Sequence, residues 1–327
     1  MQWSRSELQD ESNYGLGIGT PLPPLEQWNG DYPKPAFTGG VGGSEWTDRQ
    51  AGIYSTARLS LTDRLTAMVG GRLSRFEGDG ISYGTTRDTS YSGEFTPYAG
   101  LVFDLTDRVS LYASYTEIFQ PQTEVDINRD RLAPIEGVQY ETGIKAELFD
   151  GADASLALFR IEQENVAEAR GNIPGSVDIA YEASEGLTSE GLEATLAGEV
   201  LPNLQASLGY TYVDIQNPEG DRARTFIPQH MLRAMTTYRL PFYQPVKVGA
   251  QVSWQDVIYR DQGAGITTRQ DDYALLDLMA SYEISENLSA SLNINNVTDE
   301  KYLTSLYWAQ GFYGAPRHAM LTLGWKY

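Results

Sequence analysis

The chain has 327 residues, and 44 acidic against 24 basic side chains give it a formal net charge of −20 at pH 7. Phosphate binding needs clustered Lys and Arg, so this charge argues against a nucleic-acid partner. Cysteine is absent and there are two histidines, His230 and His318, which excludes disulfides, thiolate metal sites and histidine-rich metal sites. No apolar run reaches the length of about eighteen residues that a transmembrane helix needs.

Apolar residues recur at every second position along most of the chain, which is the period of a β-strand. The first candidate strand, Met1–Thr20, has the weakest alternation, and the proline-rich stretch Pro21–Glu45 is predicted to be a loop. Thirteen clearer strands follow, so the chain is expected to contain 13–14 strands. They occupy approximately residues 50–61, 65–73, 94–105, 109–115, 138–149, 154–158, 187–200, 204–212, 231–240, 246–259, 273–284, 288–295 and 319–327.

The connections between these strands alternate in length. Short turns are predicted near residues 62, 106, 150, 202, 243 and 286, and long loops at 77–93, 118–136, 165–186, 216–228, 260–271 and 297–316. An antiparallel up-and-down sheet with all its short turns at one end produces this alternation, whereas a Greek-key sandwich mixes connection lengths. The expected fold class is therefore all-β, a transmembrane up-and-down antiparallel β-barrel.

The two faces of the predicted strands differ in composition. One parity carries Ser, Thr, Gln, Gly and Lys, which suit a wet lumen, and the other carries Leu, Val, Ala and Ile, which suit lipid. Aromatic residues on the apolar parity lie near the loop ends and are typical of an interfacial girdle: Tyr115, Tyr210, Tyr212 and Trp254. Cross-strand packing in a soluble core is the alternative, but it needs a second layer that the sequence does not supply.

Several segments resemble TonB-dependent ferric-siderophore receptors. They are Tyr98–Asp104, Leu111–Pro121, Leu158–Ala167, Ser189–Glu193, Asn295–Tyr302 and Tyr313–Arg317. The resemblance extends from about Asn29 to Tyr327, and it is strongest to the receptors for coprogen, rhodotorulic acid and pyoverdine, which take up hydroxamate-containing ferric chelates.

This resemblance implies an outer-membrane receptor and transporter of a Gram-negative bacterium that takes up ferric siderophores. Its expected partners are the ferric siderophore, outer-membrane lipid and lipopolysaccharide, the TonB–ExbB–ExbD complex and the barrel-assembly machinery. Iron would arrive already chelated by the siderophore, so no resident cofactor is expected.

The residues themselves offer no catalytic constellation. Carboxylates are numerous, but none lies at a meaningful spacing from a histidine or a nucleophile. Four loop aspartates could bind calcium, although solvated charge is the preferred interpretation: Asp126, Asp130, Asp271 and Asp272. We therefore expect neither an enzyme nor a metal site.

The resemblance covers only part of the family architecture, a barrel of about 22 strands with a plugged lumen. Residues 1–327 correspond to the C-terminal part of that barrel, and we expect the plug, the TonB box and the first strands to be absent, as in a C-terminal fragment. Two other functions stay open. Fourteen strands could close into a plugless, passive porin if Met1–Thr20 paired with Ala319–Tyr327, and the long loops could serve a structural or adhesive barrel.

Ligand recognition in such a receptor would use aromatic and basic side chains at the external mouth, through stacking and hydrogen bonding. Strand parity directs Tyr112 and Tyr259 into the lumen, and the external loops supply the others. The candidate ligand-binding residues are Tyr112, Phe119, Gln120, Arg129, Tyr259, Arg260, Trp308 and Tyr313. Each has an alternative role in the girdle, in loop packing or as solvated charge. Tyr327, an aromatic C-terminal residue on the apolar face, resembles the signal read by the barrel-assembly machinery.

Overall fold

A computed structural model describes residues 2–12, 15–16, 36–37, 42–82, 85–86, 88–174, 179–184, 186–263, 265–306 and 311–326. Its regular elements are β1 (Gln2–Ser12), β2 (Gly15–Leu16), β3 (Ala36–Phe37), β4 (Gly42–Ser60), β5 (Leu65–Ser82), β6 (Thr85–Thr86), β7 (Thr89–Thr106), β8 (Val109–Gln120), β9 (Ile135–Phe149), β10 (Ala152–Glu164), β11 (Ala167–Asn172), β12 (Ile179–Ala183), β13 (Leu187–Leu201), β14 (Leu204–Gln216), β15 (His230–Arg239), β16 (Val246–Gln255), β17 (Ile258–Asp261), β18 (Thr267–Gln270), β19 (Tyr273–Glu283), β20 (Leu288–Asn295), β21 (Leu303–Ser305), β22 (Phe312–Tyr313) and β23 (His318–Trp325). Among these described residues, no helix is long and apolar enough to cross a membrane.

Fourteen of these strands form one antiparallel meander, in which each strand pairs with its nearest sheet neighbours in the chain. The order is β1-β4-β5-β7-β8-β9-β10-β13-β14-β15-β16-β19-β20-β23, and the two-residue β6 pairs with β5. In the described part of the chain β1 pairs only with β4 and β23 only with β20, so the sheet is not closed. The up-and-down arrangement predicted from the connection lengths is confirmed.

The short turns follow from residues that supply the turn's own hydrogen bonds. The Thr62 hydroxyl accepts the Arg64 N–H at 3.2 Å, and the Thr106 hydroxyl accepts the Arg108 N–H at the same distance, within two identical Thr-Asp-Arg sequences. Asn203 takes a φ of 67°, which asparagine tolerates better than most residues. All six predicted short turns are present, and they lie at one end of the meander.

One face of the sheet carries a continuous band of exposed apolar side chains. The registers place apolar residues side by side, as in Phe103 opposite Leu111 and Leu292 opposite Leu321. On this face Leu111 is 40% exposed and Leu321 is 67% exposed. No second layer covers the band within the described residues, so lipid is the environment that suits it.

The opposite face is polar. The hydroxyls of Ser155 and Thr195 on adjacent strands lie 2.6 Å apart, and the Tyr112 hydroxyl donates to Glu141 at 2.6 Å. The alternation of apolar and polar residues in the sequence therefore gives the sheet one apolar face and one polar face.

The aromatic residues assigned to a girdle lie close to the long-loop ends of their strands. Their polar tips have partners: the Tyr210 hydroxyl lies 2.7 Å from His230 Nδ1, and Trp254 Nε1 donates to Asp272 at 3.3 Å. Such rings combine an apolar body with a hydrogen-bonded tip, which is the chemistry that an interfacial position favours.

Several strands are longer than the alternation predicted, among them β4, β5 and β7. β4 begins at Gly42 rather than near Gln50, and β5 and β7 together occupy most of the predicted loop 77–93. The extension is rich in Glu, Asp and Gly, so it lacks an apolar face, but its backbone still pairs from Ser44 opposite Ser82 onwards. A backbone ladder needs no apolar side chains, and this explains why a hydrophobic pattern underestimates it.

The N-terminal predictions are partly corrected. The weakly patterned Met1–Thr20 contains a regular strand, since Gln2–Ser12 pairs along its length with β4. The last residues of the predicted loop Pro21–Glu45 belong to β4. Most of the remainder of that loop lies outside the described residues.

Candidate functional site

The long connections lie at the end of the sheet opposite the short turns. Two of them, residues 121–134 and 165–186, contact each other and are called here the first loop group. Three others, residues 217–229, 256–272 and 296–317, are called the second loop group. In their described parts, these groups contain the hairpins β11–β12, β17–β18 and β21–β22.

A buried amide holds the first loop group together. Gln122 is only 6% exposed, and its Nε2 donates to the carbonyl oxygens of Ala133 and Asn165, the latter at 2.7 Å. The Asn165 side chain in turn donates to the Pro134 carbonyl at 3.1 Å. A small apolar cluster packs nearby, made of Val125, Ile173 and Ala180. The two loops of the group therefore share one set of hydrogen bonds.

The first loop group also meets the extended strands β4 and β5 at a charged contact. Burial raises the pKa of the Asp48 carboxyl above its usual value, Arg131 lowers it in opposition, and Asp79 raises it further. A Cβ placed on Gly78 would lie 2.8 Å from the Asp48 carboxylate, so a glycine leaves room for this contact.

A second buried amide organises the second loop group. Asn296 is 3% exposed, and its side chain bonds to Glu300 N and O, both at 2.8 Å, and to Ala315 O at 3.2 Å. The Asp299 carboxylate accepts the Arg317 N–H at 2.9 Å. These bonds explain why Asn295–Tyr302 and Tyr313–Arg317 appear together as motif segments, because each segment fixes the other.

Tyr302 connects the second loop group to the polar face of the sheet. Its ring centre lies 4.6 Å from that of Tyr273, and a Cβ on Gly314 would fall 2.0 Å from the ring. The ring is thus packed against a glycine that no other residue could replace without movement. Below it lies a cavity of 620 Å³, with Arg233 among its lining residues.

A cluster of arginines and aromatic rings lies in the second loop group and is called here the arginine cluster. It consists of Arg222, Arg224, Phe226, Tyr259 and Arg260. The Arg222 guanidinium lies 5.6 Å from the Tyr259 ring centre, and those of Arg224 and Arg260 lie 6.0 and 5.6 Å from the Phe226 ring centre. The Tyr259 N–H donates to the Thr225 carbonyl at 3.0 Å, and this bond joins the two loops that carry the cluster.

A cavity of opposite charge lies over β7 to β10, next to the first loop group. It has a volume of 340 Å³ and is called here the acidic cavity. Five carboxylates line it: Glu94, Glu117, Glu136, Glu162 and Glu164. Phe119 also lines this cavity, so the surroundings of that residue are acidic rather than basic.

Two of the predicted ligand-binding residues, the sequence neighbours Tyr259 and Arg260 on β17, belong to the arginine cluster. Tyr313 belongs to the same loop group, is 67% exposed, and has the Lys301 ammonium 4.9 Å from its ring centre. Arg129 belongs to the first group, in a tight turn where its φ is 71°.

The remaining predicted residues are dispersed or lie outside the description. Phe119 and Gln120 end β8, and the Phe119 ring meets the Tyr91 ring edge-on at 5.8 Å. Tyr112 lies on the polar face as predicted, but it is near the short-turn end of β8, about 26 Å of strand away from Gln120. It therefore does not join the mouth residues. Trp308 and Tyr327 lie outside the described residues.

Sequence reasoning missed Arg222, Arg224 and Phe226. The sequence did contain a signal for them. Two arginines flank an alanine inside a predicted loop, and such a basic pair stands out in a chain with a net charge of −20. Their relation to Tyr259 could not be read from the sequence, because the contact joins two loops that are separated by two strands.

Two of the four loop aspartates bond to residues close to them in their own loops. Asp126 Oδ1 accepts the N–H groups of Asn128 and Asp130 at 2.8 and 2.9 Å, and Asp271 forms an ion pair with Arg269 at 2.7 Å. No group of three or more potential metal-ligating side chains is found among the described residues.

Comparison with known proteins gives a consistent picture. Residues 3–297 match the family model described as "TonB dependent receptor-like, beta-barrel". The chain is 38% identical over 315 residues to the ferripyoverdine receptor of Pseudomonas aeruginosa and 35% identical over 314 residues to the ferric-pyoverdine 358 receptor of Pseudomonas putida, with 92% of this chain and 38% of each relative covered. The crystal structure of the P. aeruginosa outer-membrane ferripyoverdine receptor bound to ferripyoverdine matches with a TM-score of 0.82 at 34% identity, covering 99% of this chain and 44% of that one. The chain thus spans less than half the length of these relatives.

Proposed function

Because the chain belongs to the TonB-dependent receptor β-barrel family, we propose that it forms barrel wall and external loops of an outer-membrane receptor for ferric siderophores. The observation that carries the proposal is the match over 92% of the chain to two receptors named for ferric pyoverdine. The exposed apolar band supports it independently, since a wall that faces lipid needs such a band.

The orientation follows from the two ends of the sheet. Short turns would face the periplasm, as in bacterial outer-membrane barrels, and the two loop groups would face the outside. The outer membrane of a Gram-negative bacterium is the location that fits this arrangement. Lipid and lipopolysaccharide would contact the apolar band, and the barrel-assembly machinery would insert the protein.

We place ligand capture in the second loop group. It combines cationic and aromatic side chains in the arginine cluster with the exposed Tyr313, and these groups recognise a chelate by stacking and charge-assisted hydrogen bonding. Iron enters as cargo that the siderophore has already chelated, so the site would need neither protein ligands to the metal nor a resident cofactor. The protein would act as a receptor rather than an enzyme.

Energy for uptake would come from the TonB–ExbB–ExbD complex. The curated relatives extend well beyond the 38% of their length that this chain matches, so energised transport is proposed for the complete receptor. Trp308 and Tyr327 keep their predicted roles in ligand binding and assembly as part of the proposal.

The direct test is deletion of the gene at its own locus, followed by measurement of ⁵⁵Fe uptake from a panel of ferric siderophores that includes ferric pyoverdines. We expect the loss of uptake for at least one of them, and the same loss when a protonophore collapses the proton-motive force. Unchanged uptake of every ferric siderophore in the deletion strain would overturn the proposal.

The mouth assignment has its own test. We expect Tyr259→Ala, made at the native locus, to raise the half-saturating siderophore concentration about fivefold, because the ring no longer faces Arg222. Tyr243→Ala is a matched control, since Tyr243 is an exposed tyrosine in a short turn at the opposite end. Equal effects of both substitutions would remove Tyr259 from the ligand site.

The passive-porin alternative receives no support from the strand pairing. It required a ladder between Met1–Thr20 and the terminal strand, whereas in the described residues β1 and β23 are the two opposite edges of the sheet. No specific observation favours an adhesive barrel.

A further inference from the structure

We propose that the arginine cluster is an anion subsite, and that the siderophores captured here carry a free carboxylate in addition to the groups that chelate iron. The inference rests on the proposed function and deepens it by naming a substrate class. It is argued from three guanidiniums that form no ion pair with any carboxylate of the described residues, in a chain with a net charge of −20.

The first step is the charge balance within the cluster. No carboxylate of the described residues forms an ion pair with Arg222, Arg224 or Arg260, although other arginines of the chain, such as Arg269, form them readily. All three side chains are half-buried. Partial removal of a guanidinium from water costs free energy unless an opposite charge or good hydrogen bonds replace the water.

The second step is the hydrogen bonding. Each guanidinium has one described protein acceptor, a carbonyl oxygen at long range: Ile227 O at 3.4 Å for Arg222, Ala167 O at 3.5 Å for Arg224 and Leu306 O at 3.4 Å for Arg260. A guanidinium offers five N–H groups in a planar fork. Most donors of the cluster therefore stay available for a ligand, and the fork geometry matches the two oxygens of a carboxylate.

The third step is the positioning of these donors. Phe226 contacts both Arg224 and Arg260, whose guanidiniums lie 6.0 and 5.6 Å from its ring centre. The Tyr259 backbone is fixed to the neighbouring loop by two hydrogen bonds with Thr225, at 3.0 and 2.7 Å. Phe226 thus holds two like charges beside one ring, Tyr259 holds the third on the joined loop, and a bound anion would relieve the repulsion between Arg224 and Arg260.

The fourth step concerns the rest of the molecule. A net charge of −20 repels an anionic ligand at long range, but salt screens charges beyond about 8 Å at physiological ionic strength. At the cluster the local positive charge then outweighs the distant carboxylates.

The test pairs a change in the protein with a change in the ligand. Cells that carry alleles at the native locus are supplied with one ferric siderophore in two forms, one with its free carboxylate and one with that group converted to the neutral amide. The protein variants are Arg222→Gln, Arg224→Gln and Arg260→Gln, alone and combined. Arg269→Gln serves as the control, because Arg269 lies on the hairpin that also carries Arg260 but is paired with Asp271.

For the triple variant we expect the half-saturating concentration of the acid form to rise about tenfold, while that of the amide form changes less than about twofold. Arg260→Lys should recover part of the acid preference, since it keeps the charge and loses the fork. Higher salt should weaken capture of the acid form by the unmodified receptor and leave the triple variant unaffected.

Several results would overturn the proposal. Equal losses for the acid and amide forms would show that the arginines only stabilise the loops, and no loss for either form would show that they are not used. Reduced lipopolysaccharide association of the variants with normal uptake would assign the cluster to lipid phosphate instead. Failure of the unmodified receptor to take up either form, or any ferric siderophore, would be a failure of the proposed function itself.

Discussion

The two loop groups are built on the same device and differ in charge. In the first, Gln122 bonds backbone carbonyls of two loops, and in the second, Asn296 bonds the backbone of one loop at two places. Both amides are nearly fully buried. The acidic cavity lies beside the first group, whereas the arginine cluster is part of the second.

This difference separates scaffolding from recognition. Buried amides can satisfy backbone groups without introducing charge, so they fix a loop whatever ligand the receptor takes. The charged and aromatic side chains do little of that bonding in the second group, which leaves them available for a ligand. Variants of the amides should therefore change stability, and variants of the arginines should change selectivity.

The largest expected effect lies in the wall between the groups, where Gly191 of β13 faces β14. A Cβ at Gly191 would lie 2.2 Å from the Tyr212 carbonyl oxygen and 2.5 Å from the Phe159 ring. We expect Gly191→Ala to lower the free energy of unfolding by about 3 kcal/mol, because backbone must move to admit the methyl group. Denaturant unfolding of the protein in detergent measures this.

Gly209 on the neighbouring strand provides the control for that variant. Nothing lies within 4 Å of a Cβ placed on it, so Gly209→Ala should be neutral or slightly stabilising. Equal destabilisation by the two substitutions would mean that close packing at Gly191 is not the cause.

Asn296→Gly should have the next largest effect. Glycine accepts the φ of 49° at this position but makes none of the side-chain hydrogen bonds, so we expect a loss of about 2 kcal/mol confined to the second loop group. Hydrogen exchange at the Glu300 amide should accelerate, since its acceptor is the Asn296 side chain. Asn295→Ala, which removes one bond to His318, should leave that amide protected.

Gln122→Ala should destabilise the first loop group by about 1–2 kcal/mol, because two carbonyl oxygens lose their donor. Limited proteolysis should then cleave residues 123–133 faster. Siderophore uptake should fall less than it does with Asn296→Gly, since capture is placed in the other group. A larger loss of uptake with Gln122→Ala would reverse that assignment.

The smallest effect is expected in the acidic cavity. Glu94→Gln combined with Glu136→Gln should raise the unfolding free energy by a few tenths of a kcal/mol, since it removes like charges from one solvent-open cavity. High salt should abolish the gain, and Glu286→Gln in an exposed turn should give none. The preference for acid over amide siderophores should stay unchanged.

The sequence predicted the architecture well because a meander depends on local signals. Alternation identified the faces, and residues such as Thr62, Thr106 and Asn203 marked the turns, so strand order followed without knowledge of distant contacts. The polar extension of β4 and β5 was not predicted. Its pairing is made by backbone groups, which leave no pattern in the side chains.

The candidate site was less accessible because it depends on contacts between loops. Strand parity placed Tyr112 on the correct face. Its position along β8 follows from counting residues from the turn at Thr106, and this count places it far from the mouth. The contact of Arg224 with Ala167 spans 57 residues and follows no local rule. Tyr259 was found from its position at a loop start, and its arginine neighbours became evident only when the loops were folded together.

The pairing of each strand with its nearest neighbours in the chain also bears on how such walls change size in evolution. A hairpin and its loop enter the meander as one unit, and the registers on either side refer only to the adjacent strand. Duplication or loss of a pair of strands would therefore alter the circumference while leaving the other loop anchors intact. The bonds of Asn296 to Glu300 and Ala315 would travel with the last hairpin in a graft between related receptors, whereas its bond to Asp277 on β19 would have to be matched by the recipient.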